Sequence, residues 1–158
     1  MNDKQVTRLI ESIYKIRTEH TTQVTQEQQW LKDHIESEKL RTIAGSLSVI
    51  ALHILSALEE CDLTGIELAE RLHVTRGGIS RAAHKLNEFQ LITSVRKADN
   101  HKNIYYHLTT EGKEIATVHD HMHKELKKQL IQFIESHYSN EELTTIQRFL
   151  DEFNQLNI

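Results

Sequence analysis

At 158 residues with 38% hydrophobic positions, the chain is long enough to bury one core, or one core plus an oligomerisation extension. Its single cysteine, Cys61, rules out an intrachain disulfide, and no apolar targeting segment opens the sequence, so a reducing, cytoplasmic setting is expected. A net charge of -4 argues against a uniformly basic nucleic-acid binder, yet Thr64 to His107 holds seven Lys/Arg against four acids while the remainder holds twelve against nineteen. A basic block inside an acidic protein is the pattern of phosphate contact through one region only.

With no proline anywhere, long helices are permitted. Val6, Leu9, Ile10, Ile13, Tyr14 and Ile16 form a helical stripe over Lys4 to Arg17, and the Thr- and Gln-rich stretch from Thr18 to Gln29 reads as a loop or a weak helix. Helical character resumes through Trp30 to Ile43 and from Ser48 to Glu60. The apolar run Ile43 to Leu58 is interrupted by Gly45, Ser46, Ser48, His53 and Ser56, which suits a buried helix and not a bilayer span. Thr64 with Glu67 three residues on predicts a capping box, opening a helix that ends near His73. Thr75 predicts the N-cap of the next helix, whose Ile79, Ala83 and Leu86 share an inward face. Two β-prone runs, Ile92 to Lys97 and Asn103 to Leu108, flank a polar tip and predict a hairpin. A long helix then runs to about Ser136, and Ser139 with Glu142 caps a final helix over Glu141 to Leu156.

Helix, tight turn, helix and hairpin in this order suit entry into a DNA groove, with the second helix reading bases. With Ile79, Ala83 and Leu86 turned inward, Arg76, Gly77, Ser80, Arg81, His84 and Lys85 are left near the solvent face. Arginine pairs bidentately with guanine, and a serine hydroxyl reaches a base or a phosphate. Gly77 and Gly78 weaken the first turn of this helix but let its backbone approach a neighbouring helix or a phosphate. Arg96, Lys97, His101 and Lys102 cluster on the hairpin, where a basic tip reaches a minor groove or the backbone.

From Leu47-Ser48 through ELAERLHVTRGGISRAAHKL to Leu108-Thr109-Thr110-Glu111-Gly112, the text resembles the MarR family of winged helix-turn-helix regulators. The resemblance implies a mainly α fold with a small β wing, dimerisation helices at both ends, and a homodimer on a palindromic double-stranded DNA operator. It divides the chain into N-terminal dimerisation helices (1–45), a winged helix-turn-helix domain (46–109) and C-terminal dimerisation helices (110–158). One departure concerns the wing: where the family often shows Asp-x-Arg, this chain has Asp99-Asn100-His101. Lys102 restores the charge one position later, but not the bidentate fork of an arginine.

Eleven histidines are many for this length, and their placement is uneven. His119 and His123, four apart on the long helix after the hairpin, project from one face about a turn apart, a spacing able to chelate a metal. By itself such a pair is more often solvated or structural. His53, alone within the apolar run before the reader, changes the balance. The arrangement is similar to that of zinc-responsive MarR-type repressors, which implies His53, His119 and His123 as ligands and zinc as a co-repressor. A fourth, acidic ligand is implied from the N-terminal region, with Glu36 nearest in register and His34 or Glu38 as substitutes; Cys61 does not match. Three rival readings stay open at this stage, one of them a helical interaction protein without DNA binding; the other two concern an effector and catalysis. In one, a small aromatic effector in a cleft lined by Tyr14, Trp30 and His53 releases the DNA. In the other the histidines serve a metal-dependent hydrolase, although no HExxH order or phosphate loop is present.

Overall fold

The computed structural model describes residues 3–18, 20–97 and 100–156, by backbone alone at 3, 17–18, 20–25, 97 and 100–102. Two compact units, Met1–Met122 and His123–Ile158, meet inside one unbroken helix. The first begins with α1 (Asp3–Thr18), α2 (His20–His34), α3 (Glu38–Ala44) and α4 (Val49–Leu58). The Thr- and Gln-rich stretch is therefore helical from His20. The single helix expected over Trp30 to Ile43 is instead two. Ser37 accepts the Leu40 N–H as the N-cap of α3, and the Arg41 guanidinium folds back to donate to the Ile35 carbonyl at 3.0 and 3.1 Å. That cation satisfies a carbonyl stranded at the break, so the chain turns without leaving an orphan acceptor.

Ser48 caps α4, which buries Ala51, Leu52, Ile54, Leu55, Ala57 and Leu58. A two-residue strand, β1 (Leu63–Thr64), follows and was not anticipated. Then come α5 (Gly65–Leu72) and α6 (Arg76–Glu88). The Thr64–Glu67 capping box and the Thr75 cap are both formed, and α5 ends at His73 in the left-handed region at φ 53°. Histidine tolerates that region better than a β-branched residue would. β2 (Ile92–Lys97) and β3 (Asn100–Leu108) form the wing in a three-stranded antiparallel sheet of order β1-β3-β2, with an irregular register between Val95 and Lys97. β3 runs three residues further toward the tip than the β-prone run suggested.

Helix α7 (Thr110–His137) leaves the wing directly. Thr109 fixes its start: its N–H and hydroxyl both donate to the Leu91 carbonyl, at 3.1 and 2.9 Å, while its hydroxyl accepts the Gly112 N–H. The core unites Leu31, Ile35, Leu52, Leu55, Leu68, Leu86 and Ile115, each 2% exposed or less. Burying such side chains contributes roughly 1.5–3 kcal/mol each, which is why the reader holds its shape around α4.

The second unit comprises the rest of α7 and α8 (Asn140–Gln155), the latter opened by the expected Ser139–Glu142 capping box. The Glu142 carboxyl is held below its ordinary range by the backbone N–H and then the hydroxyl of Ser139. Among the described residues of this unit none is buried, although Leu126, Leu130, Ile131, Phe133, Ile146, Phe149 and Leu150 are large and apolar. No single helix among the described residues is long and apolar enough to cross a membrane.

Candidate nucleic-acid interface and metal centre

The reading helix is positioned from behind by α4. Gly78 is buried, and a Cβ there would stand 3.3 Å from the Thr75 hydroxyl and 3.8 Å from the Ile50 Cδ1, so this glycine lets α6 lie close on α4. Gly77 has the opposite environment: a Cβ would meet nothing within 4 Å, which leaves its backbone on the open side. Of the two roles glycine offered here, Gly78 takes the helix contact and Gly77 the exposed one. Ile79, Ala83 and Leu86 are buried as the helical spacing demanded.

Arg76, Ser80 and Arg81 are exposed on α6. His84 is exposed as well, its Nε2 3.4 Å from Glu88 one turn on. Lys85 turns back from the solvent face. Its Nζ donates to the Ser46 carbonyl at 2.8 Å and lies 5.7 Å from the Phe89 ring centroid, tethering α6 to the turn before α4. Arg96 is exposed on β2, whereas the side chains of Lys97, His101 and Lys102 lie outside the described residues, as does Asp99.

Behind the reader, His53 of α4 faces His119 of α7, ring centroids 5.4 Å apart. His119 is 1% exposed, an unusual depth for an imidazole. His123 follows one turn later on the same unbroken helix, and ligand atoms of His53, His119 and His123 lie within 4.8 Å of one another. Three imidazoles at that spacing suit a borderline-soft divalent ion such as zinc. Glu36 stands outside this group, exposed in the α2–α3 turn with its carbonyl accepting from Arg41 at 3.2 Å. His34 also stands outside it, stacked on Trp30 with centroids 4.0 Å apart, and Glu38 lies in the first turn of α3. Of the residues named as walls of an aromatic-ligand cleft, Tyr14 is 63% exposed on α1, Trp30 stacks on His34, and His53 belongs to the histidine group.

Residues that sequence reasoning passed over support the centre. The Ser56 hydroxyl lies 3.0 Å from His119 Nδ1, and an Asp120 oxygen lies 3.7 Å from the same nitrogen. Burial pushes the Asp120 carboxyl up, but hydrogen bonds to Ser56 and Glu59 and the neighbouring His119 outweigh it and hold it below the ordinary range. Glu59 is pushed up, by burial first and then by its hydrogen bond to Asp120, while Thr117 donates to it at 3.0 Å. Ser56 lies three residues after His53, a helical neighbour visible in the sequence, yet it registered there only as a polar interruption.

No protein-family model matches the chain. It is 28% identical over 144 residues to the HTH-type transcriptional regulator YvnA of Bacillus subtilis (strain 168), covering 90% of this chain and 91% of that one. The zinc-dependent MarR family transcriptional regulator AdcR, solved in its Zn(II)-bound state, superposes with a TM-score of 0.58 at 29% identity, over 76% of this chain and 77% of that one. The relatives are HTH-type transcriptional regulators, and the chain is similar in sequence and fold to MarR-family winged helix-turn-helix regulators. The fold is further matched by ZitR of Lactococcus lactis in complex with DNA, at a TM-score of 0.68 and 22% identity over 98% of this chain and 97% of that one. Since the regulator's relatives are transcription factors, the hydrolase alternative falls away. The mainly α fold with a small β wing is the one expected from the sequence.

Proposed function

We propose that this regulator is a homodimeric repressor that binds a palindromic operator and takes zinc as its co-repressor at His53, His119 and His123. The observation that carries the reading is the gathering of those three imidazoles at the back of the reader, from helices on either side of it. The zinc-dependent relative supports the choice of metal. With Ser56 on Nδ1 of His119, the other ring nitrogen, Nε2, would be the one offered to the ion, the usual way an outer hydrogen bond fixes a ligand's orientation. Glu36 is the proposed fourth ligand from the α2–α3 turn. On the DNA side, Arg76, Gly77, Ser80, Arg81 and His84 form the proposed reading face, with Lys85 as its tether and Arg96, Lys97, His101 and Lys102 as the wing contacts.

The coupling runs through α4, which carries His53 and packs on α6 at Ile50 and Gly78. Zinc then favours one setting of the reading helix, and in a dimer one spacing of two such helices, near the DNA turn of about 34 Å. Such a shift requires tighter zinc binding to the DNA-competent state, and by linkage DNA must then tighten zinc. Selection from a random duplex pool with zinc is expected to enrich a palindrome whose binding tightens by at least about tenfold over the chelated protein. Affinity that is the same with zinc and with chelator would sink the metal reading.

Residues 1–45 and 110–158 are proposed to make the dimer. From His123 onward α7, like α8, buries no described residue, and such stretches are marginal alone, so their apolar faces need a second copy. Sedimentation equilibrium is expected to give a dimer. Leu130→Asp with Phe133→Asp, both on exposed sites, should weaken it by at least about tenfold. A monomeric wild type, or a double variant that dimerises equally well, would refute this part.

A further inference from the structure

His119 brings two ring nitrogens to the back of the reader, and a neutral imidazole carries its proton on either one. Which nitrogen keeps a lone pair for an ion is set by the hydrogen bond at the other. The Ser56 hydroxyl stands at Nδ1, 3.0 Å away. A hydroxyl both donates and accepts, so that contact by itself is compatible with either tautomer. The residue after His119 removes the choice. Asp120 is ionised at neutral pH and takes a hydrogen bond from the same hydroxyl, and a carboxylate only accepts. Its own oxygen is 3.7 Å from Nδ1, too far for a direct bond. On its other side Asp120 is hydrogen-bonded to Glu59, which accepts from the Thr117 hydroxyl at 3.0 Å. At 1% exposure, His119 meets no bulk water that could replace these partners.

The direction of these bonds follows. Ser56 has one hydroxyl proton, and it goes to Asp120. At Nδ1 the hydroxyl is left to accept, so Nδ1 carries the ring proton and Nε2 does not. Resting on the metal reading above, we propose that Asp120 is a positioning residue for the centre, acting through Ser56 to hold His119 in the Nδ1–H tautomer before an ion arrives. Ser56 sets where the ring lies; Asp120 sets which nitrogen is ready. α4 supplies His53 and Ser56 about one turn apart, and α7 supplies His119 and Asp120 in succession. The helix contact that brings His53 to His119 therefore also brings the two supporting side chains together.

The test reads the imidazole nitrogens of zinc-free protein by NMR, and zinc affinity by competition with a coloured chelator. In wild type, His119 should carry its proton on Nδ1 alone. Asp120→Asn keeps the shape, but its amide donates as readily as it accepts. A sizeable Nε2–H fraction should then appear, and zinc should bind about tenfold more weakly. Ser56→Ala should lose about as much, and the double variant no more than either alone, because the two residues act in series. A wild-type His119 with its proton on Nε2 overturns the proposal, a readout that needs no variant to fold. An Asp120→Asn protein that keeps the wild-type tautomer also overturns it. So does a double variant whose two losses multiply, since Asp120 would then act on the ion by charge alone. A wild type with the expected tautomer that takes up no zinc refutes the metal reading instead, and leaves Asp120 nothing to position.

Discussion

Replacing His119 and His123 together by alanine should abolish the zinc response. Zinc affinity is expected to fall by at least about 100-fold, because one remaining imidazole cannot hold the ion against water. Trp30 offers a direct readout: it is the chain's single tryptophan, and its ring lies 6.2 Å from His121, between the two ligands in sequence. Its emission should change to saturation as zinc is added to wild type and stay flat in the double variant. His119 is buried, so its loss also opens a cavity and lowers stability. His123→Ala alone separates the two effects, since His123 is exposed and its removal should cost metal without costing fold. Ser56→Ala keeps every proposed ligand and should lose about tenfold in zinc affinity through a mis-set His119 ring. A double variant whose DNA binding still tightens with zinc would refute the site.

Gly112→Ala should be the most damaging small substitution in the molecule. A Cβ there would sit 2.0 Å from the Leu91 carbonyl oxygen and 2.9 Å from the Leu108 Cδ1. The first obstacle is backbone, already held by Thr109, so neither side has room to give. The expected cost is about 3 kcal/mol or more. That corresponds to a melting temperature lower by roughly 10 °C. Gly77→Ala is the matched control: nothing stands within 4 Å, and alanine favours the helix by roughly 1 kcal/mol. Thermal unfolding measured by circular dichroism decides the matter. Equal melting of Gly112→Ala and wild type would show that α7 does not seat on Leu91 as described.

These outcomes depend unequally on what the sequence disclosed. Caps were legible because they are local: Thr64 with Glu67, Thr75, and Ser139 with Glu142 each satisfy amides within three residues. The inward face of α6 was legible from its 3.6-residue period. β1 was not, since two residues carry no period and only pairing with Tyr105 and Tyr106 makes them a strand. The break before α3 was hidden because Leu31, Ile35 and Leu40 keep an apolar pattern across it, and the deciding contact is the Arg41 side chain folding back. The histidine pair was visible from its spacing, and His53 from its odd place in an apolar run. Ser56, Glu59 and Asp120 were not, because what they support depends on α4 packing beside α7. Lys85 looked like a surface cation for the same reason, its acceptor lying 39 residues away.

The seat of α7 on the Leu91 carbonyl has a consequence for how such a chain varies over time. Because Thr109 and Gly112 clamp the helix at its first turn, the rotational phase of everything downstream is set there. Each added or lost residue between Gly112 and His119 turns the later side chains by about 100°. One such change would swing His119 off the face that meets His53, while leaving wing, reader and helix individually intact. Length in this short segment is thus fixed throughout, while composition is fixed only where the helix faces inward, at Ile115 and Ala116, and open at the exposed Lys113 and Glu114.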